Sequence, residues 1–140
     1  MKKFLLDTNI LVAYLRGRSG TVKIVQPWLV QQEVTTSLIA YTEACEFLQG
    51  FPDYIQHRNA LRILLRQLTP YVLTYPILER YAELRRSLRP PYGPGLIGDL
   101  DTFIAATAIA HNVTLVTTDS DFARVPGLTL MKLDRSILKA

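Results

Sequence analysis

Four acidic residues stand where chemistry is possible: Asp7, Glu43, Asp101 and Asp119. Asp7 closes the apolar run Phe4-Leu5-Leu6, and Asp119 closes Thr114-Leu115-Val116-Thr117-Thr118. Asp101 opens the helix-like stretch Asp101-Thr102-Phe103-Ile104-Ala105-Ala106-Thr107-Ala108, and Glu43 follows the strand-like run Thr36-Ser37-Leu38-Ile39-Ala40. A carboxylate at the end of a buried strand, or in the first turn of the next helix, lies at the C-terminal edge of the sheet. Open α/β sheets bind their ligands there. Carboxylates gathered at one edge repel one another and raise each other's pKa. A divalent cation relieves that conflict, and hard oxygen donors suit Mg²⁺ or Mn²⁺.

Each acid also has a plain structural role. Asp7 serves equally as a helix cap. Asp101 lies in a first turn, where the helix dipole favours any carboxylate. Asp99 reads as the N-cap of that helix, Glu43 as a solvated first-turn acid, and Asp119 as the start of an Asx turn with Ser120 and Asp121. Glu46, one turn beyond Glu43, reads as surface. The functional reading gains its force from four acids at equivalent ends of four elements.

The elements that must position them follow from periodicity and punctuation. Residues 3–6 read as a buried strand, 10–16 as a helix after the capping residues Asp7-Thr8-Asn9, and 17–20 as a turn. A helix over 21–32 must kink or divide at Pro27. Residues 35–40 read as a second strand and 42–48 as a helix stopped by Gly50. A helix over 53–68, a strand over 71–74 and a helix over 76–88 come next. The run Arg89-Pro90-Pro91-Tyr92-Gly93-Pro94-Gly95 is a loop. A helix over 99–111, a strand over 114–117, a helical turn at 121–123 and a strand over 128–133 complete the chain. Strands alternating with helices imply an α/β fold with a mainly parallel sheet and helices on both faces. A sheet winding outward both ways from its first strand would make Asp7 and Asp119 flank one crevice.

The 140 residues suffice for a single domain, 1–140, with a real core. Apolar residues make up 49%, too many for a disordered chain. Lys2 and Lys3 before Phe4-Leu5-Leu6 imitate a signal peptide, but Asp7 and Asn9 interrupt it and no small-residue cleavage site follows. No charge-free apolar run reaches membrane-spanning length, so a cytoplasmic protein is expected. Cys45 is the single cysteine, which excludes an internal disulfide and reads as a small buried apolar residue. His57 and His111 form no triad pattern. The net charge of +4 leaves a basic surface around an acidic pocket, which suits a phosphate-backbone ligand.

With these residues in place the chain resembles the PIN-domain family, and within it the VapC-type toxin ribonucleases. Leu6-Asp7-Thr8-Asn9-Ile10-Leu11 is similar to the first acidic motif of that family. Ser37-Leu38-Ile39 through Glu43, with Gly50 downstream, is similar to the second. Ile97-Gly98-Asp99-Leu100-Asp101-Thr102-Phe103-Ile104-Ala105-Ala106-Thr107-Ala108 resembles the third, with Asp101 in the acidic position. Leu115-Val116-Thr117-Thr118-Asp119-Ser120-Asp121-Phe122 resembles the fourth, with Asp119 in that position. The resemblance spans nearly the whole chain. It implies a three-layer α/β/α sandwich with a mainly parallel five-stranded sheet in the order 3-2-1-4-5. It also implies a metal-dependent endoribonuclease, homodimers and a cognate antitoxin partner, with Asp7 and Asp101 as the principal metal-binding residues.

The expected mechanism is hydrolysis of RNA by Mg²⁺-activated water, Mn²⁺ substituting, with Asp7, Glu43, Asp101 and Asp119 as catalytic and metal-holding residues. Thr8 would orient Asp7 or a metal-bound water, Thr117 would do the same near Asp119, and Asp121 would support the site. Two arginine groups could meet the RNA: Arg58, Arg62 and Arg66 on one helix face, and Arg80, Arg85, Arg86 and Arg89 beside Tyr92. Trp28, Leu29 and Val30 are candidates for antitoxin contact, or ordinary core. A catalytically inactive RNA-binding PIN-like module is the alternative. A phosphotransfer domain would need a second acid two residues after Asp7, where this chain has Asn9.

Overall fold

The computed structural model describes residues 1–139. Its centre is strand β1 (Phe4–Leu6), whose Leu5 and Leu6 are fully buried. The chain then forms α1 (Thr8–Leu15), α2 (Ser19–Val30) and β2 (Val34–Thr36). After α3 (Leu38–Leu48), α4 (Tyr54–Leu68), α5 (Tyr75–Leu88) and α6 (Asp99–Ala110) come β3 (Thr114–Thr117), a 3₁₀ turn (Ser120–Arg124), β4 (Leu130–Lys132) and a last 3₁₀ turn (Arg135–Leu138). The sheet order is β2-β1-β3-β4, and every pairing is parallel. Leu6 sits opposite both Thr36 and Val116. The first strand is thus flanked by β2 and β3, and the crevice where the winding reverses opens beyond Leu6 and Thr117. This is the α/β sandwich expected, with six α-helices among the described residues.

Strands buried on both faces must carry side chains that tolerate burial. Leu115 and Val116 are apolar and fully buried. Thr35 and Thr36 are also fully buried, and backbone carbonyls accept their hydroxyls: Thr36 donates to Leu6 at 2.9 Å and Thr35 to Thr69 at 3.1 Å. Each fully buried leucine contributes about 2 kcal/mol of transfer free energy. The core around β1 therefore holds the sheet edge rigid enough to carry groups that resist burial.

Three sequence expectations change. Residues 35–40 do not continue as a strand: β2 stops at Thr36, and the Ser37 hydroxyl accepts from the amides of Ile39 and Ala40, capping α3. Glu43 is therefore on the second turn of a helix rather than just beyond a strand. The strand expected over 71–74 contracts to a single bridge between Ser37 and Tyr71, so four strands form instead of five. Tyr71 bonds Thr36 and Leu38, but α3 has already turned away and leaves Val72 and Leu73 with no strand to pair. The bridge still lies outside β2, so the order 3-2-1-4-5 survives with its outermost strand reduced. Finally, α2 runs through Pro27 undivided. Pro27 and Lys23, whose carbonyl loses its partner, both face solvent, so the missing hydrogen bond costs little there.

The Pro/Gly loop between α5 and α6 packs closely on the helix it leaves. A Cβ at Gly93 would fall 2.0 Å from the Ser87 carbonyl oxygen, so only glycine fits.

Candidate active site

The four acids arrive at the sheet edge by four local devices. Asp7 follows β1 directly; its amide donates to the Val116 carbonyl, and its carboxylate caps α1 through the Thr8 amide at 2.8 Å. Asp101 sits in the first turn of α6 behind Gly98, with its Oδ2 folded back toward that glycine. Glu43 projects from α3 and accepts the Thr8 hydroxyl at 2.7 Å. Asp119 leaves β3 and caps the 3₁₀ turn through the Asp121 amide at 2.9 Å.

A cavity of about 390 Å³ collects three of them: Asp7, Glu43 and Asp101, with Thr8, Asn9, Arg16 and Arg18 also in its wall. Asp119 lines an adjoining polar hollow of about 370 Å³ with Lys132, Asp134 and Arg135. The two are electrostatically one site. Burial, then the charges of Asp7, Glu43, Asp119 and Asp121, push the Asp101 carboxyl up to about 7 from an ordinary 3.8. Burial also pushes Asp7 up, to about 6, although the Thr117 hydroxyl and the Thr8 amide pull it back. Asp101 is the less buried of the two yet the more perturbed, because it has no such donors and Asp7 ionises before it. None of the four carboxylates forms an ion pair among the described residues.

Thr117 is the joint between β1 and β3. Its fully buried hydroxyl donates to Asp7 Oδ2 at 2.6 Å and accepts from the Asp119 amide at 3.1 Å. It thus fixes two acids at once. Thr117→Val is expected to raise the Asp7 pKa further and to cut turnover about 10- to 100-fold, the usual cost of losing a group that orients a site carboxylate. Carboxylate titration by NMR and cleavage rates check both halves. Thr8 gives its hydroxyl to Glu43 and its amide to Asp7.

Asp99 does not cap α6; Gly98 holds that position, and Asp99 turns outward to pair with Arg85 at 3.1 Å. Asp121 pairs with Arg124 at 3.4 Å. His57 pairs with Asp53, and His111 stacks on Tyr71, so neither histidine lines the acidic cavity. Cys45 is half-buried against the core. Trp28 stacks on Phe4 and packs on the core, whereas Val30 is exposed. Arg62 bonds the Tyr41 hydroxyl and Arg58 lies over the Tyr54 ring, so that face is partly occupied by its own neighbours.

The cavity residues not singled out from the sequence include Asn9, Val12, Ala13 and Arg16, with Phe47 on α3; Arg18 and Leu138 complete the wall. A signal for them existed. Positions 9, 12, 13 and 16 follow the i, i+3, i+4, i+7 spacing of one helix face, and 43 and 47 are one turn apart. Asn9 donates to the Thr118 hydroxyl at 2.7 Å, which ties α1 to the end of β3.

The donor chemistry fits a hard dication, since every candidate ligand is a carboxylate oxygen and no side-chain cation neutralises the group. Among the described residues, no three acidic, histidine or cysteine side chains converge as a ready-made metal shell.

Comparison with known proteins places this architecture. The PIN domain family matches residues 4–128, and the chain belongs to that family, in its VapC branch. Ribonuclease VapC2 of Rickettsia felis is 30% identical over 135 residues, covering 94% of this chain and 98% of the relative. The solved structure of VapBC2 from Rickettsia felis, bound to a DNA fragment from its promoter, superposes with a TM-score of 0.82 at 28% identity, covering 94% of this chain and 98% of that one. VapBC-1 from nontypeable Haemophilus influenzae superposes with a TM-score of 0.76 at 25% identity, covering 92% and 96%. No helix among the described residues is long and apolar enough to cross a membrane.

Proposed function

We propose that this chain is the ribonuclease toxin of a toxin–antitoxin pair, a Mg²⁺-dependent endoribonuclease in which Mn²⁺ can substitute. It acts in the cytoplasm as a homodimer and is held in check by a cognate antitoxin. Its relatives, a ribonuclease and a toxin–antitoxin complex from Klebsiella pneumoniae, support the biological part of this reading. One observation carries the chemical part: Asp7 and Asp101 line one cavity at the sheet's reversal point, and neither has an ion-pair partner among the described residues. A fold gains nothing from such a pair unless a cation completes it.

Asp7 and Asp101 would hold the metal, with Glu43 and Asp119 on either side. When bound, a dication supplies Lewis acidity: it polarises the scissile phosphate and lowers the pKa of water. The chain's own residues do the rest. Thr117 holds Asp7 in one rotamer, and Thr8 does so for Glu43. Asn9 locks the start of α1 against Thr118. Arg16 and Arg18 line the cavity of Asp7, Glu43 and Asp101, and Lys132 and Arg135 line the hollow of Asp119. A phosphodiester chain at the acids would find cationic side chains in both hollows.

The direct test uses purified chain, free of antitoxin, on structured RNA. Cleavage is expected with Mg²⁺ or Mn²⁺ and should stop on adding EDTA. RNA left intact under all metal conditions, with RNA binding retained, would favour an inactive RNA-binding module.

A further inference from the structure

We infer that the hollow between α5 and the loop after it is a subsite for one single-stranded nucleotide of the RNA, separate from the acidic cavity; the inference rests on the ribonuclease reading above. The hollow measures about 550 Å³ and is lined by Tyr81, Ala82, Arg85, Arg86, Arg89 and Tyr92. That volume is within the roughly 300–1,000 Å³ of pockets that take small ligands. No acidic residue lines it.

Its floor is fixed. Arg85 Nη1 stands 3.1 Å from Asp99 Oδ1, and the Tyr81 hydroxyl donates to the same oxygen at 3.3 Å. The Tyr81 ring stacks on Phe103 of α6, centroids 3.9 Å apart. Arg85 is thereby neutralised and spent on structure. Arg86 and Arg89 have no carboxylate partner among the described residues. The Arg86 guanidinium lies 5.6 Å from the centre of the Tyr92 ring, and Tyr92 is 69% exposed. A ring braced by a cation offers its open face to a base, and stacking accepts any base. The free guanidiniums suit the attached phosphate. An acidic protein segment would satisfy the arginines but leave the aromatic face unused.

The subsite also has a defined relation to the reaction. The floor is anchored on Asp99, two residues before Asp101, so one helix start carries both the anchor and the acid. A strand gripped at Tyr92 is therefore held in register with the carboxylates, which is how a nuclease gains grip on substrate without altering its chemistry.

Fluorescence anisotropy with a labelled single-stranded RNA of about ten nucleotides, in EDTA, separates binding from cleavage. R86A/R89A should raise Kd about tenfold or more and flatten the log–log salt slope by about 1–2. Tyr92→Ala should raise Kd about 5- to 100-fold, and Tyr92→Phe should restore it, since the ring and not the hydroxyl stacks. Far-UV circular dichroism confirms that each variant is folded. Wild-type affinity and salt slope in both R86A/R89A and Tyr92→Ala overturn the subsite. Unchanged RNA binding with a weakened antitoxin complex also overturns it and gives the arginines to the antitoxin. A parallel Mn²⁺ cleavage assay keeps the two readings apart. A wild type that cleaves while the variants bind normally sinks the subsite alone. A wild type that binds through this hollow yet never cleaves sinks the nuclease reading alone.

Discussion

Asp101→Asn is expected to reduce RNA cleavage at least about a thousandfold while making the metal-free protein more stable at pH 7.5. The two halves have one cause. Asp101 sits among Asp7, Glu43, Asp119 and Asp121, and burial together with their charge holds its carboxyl at about 7. Asparagine keeps the shape and removes the charge. The burial penalty and repulsion it relieves are together worth about 1–3 kcal/mol after discounting for partial solvent screening, or several degrees in Tm. The same change deletes a ligand oxygen from the place where the cation would sit. A first-turn acid that merely complemented the α6 dipole would behave oppositely: its loss would cost about 0.3–1 kcal/mol and leave cleavage intact. Thermal melts in EDTA and cleavage rates in Mn²⁺ therefore discriminate between the roles. Wild-type turnover in this variant, or a lowered Tm, would rule out Asp101 as a working member of the site.

The parts of this molecule written in local patterns could be read in advance. Residues 114–117 are an apolar run between Asn112 and Asp119, and β3 has those bounds. Asp7 follows a run too short to be anything but a strand, and the sheet's reversal point lies beside it. The misreadings arose where two signals competed. At 37–40, β-branched and apolar character suggested more strand, but Ser37 carried a capping hydroxyl and the cap prevailed. That single event shortened β2, began α3 early, moved Glu43 along a helix and left the next strand without a partner beyond Tyr71. Thr117 shows a different limit. Nothing in the sequence says whether a strand-end threonine points inward to carboxylates or outward to solvent; only the register of β1 against β3 decides it. Asp119 illustrates the same limit in reverse: it is near enough to raise Asp101, yet it faces its own hollow with Lys132 and Arg135.

The largest stability effect should come from metal and pH acting together. Asp7 and Asp101 both have folded pKa values above the ordinary 3.8, at about 6 and about 7. The folded protein therefore holds protons that the unfolded chain releases. Well below pH 3.8 both states are protonated and the pair costs nothing. As pH rises from 4 to 7 the folded state must accept charge that the unfolded state already carries, so metal-free stability falls across that window. The loss is about 3 kcal/mol for Asp7 and, discounted for screening, about 2 for half-buried Asp101. His111, with its pKa lowered by burial, works in the opposite sense, as does Asp134 at the acid end, so the informative quantity is a difference between proteins. Wild type minus the double variant Asp7→Asn/Asp101→Asn should decline with pH in EDTA and then flatten above 7. Mn²⁺ at a hundred times its Kd should offset about half of the decline at pH 7.5, since it adds about 2.7 kcal/mol. The gain should shrink toward pH 5, where protons compete for the same oxygens, and should vanish in the double variant. A flat difference curve with a Tm indifferent to Mn²⁺ would mean that these carboxylates neither repel one another nor bind a cation.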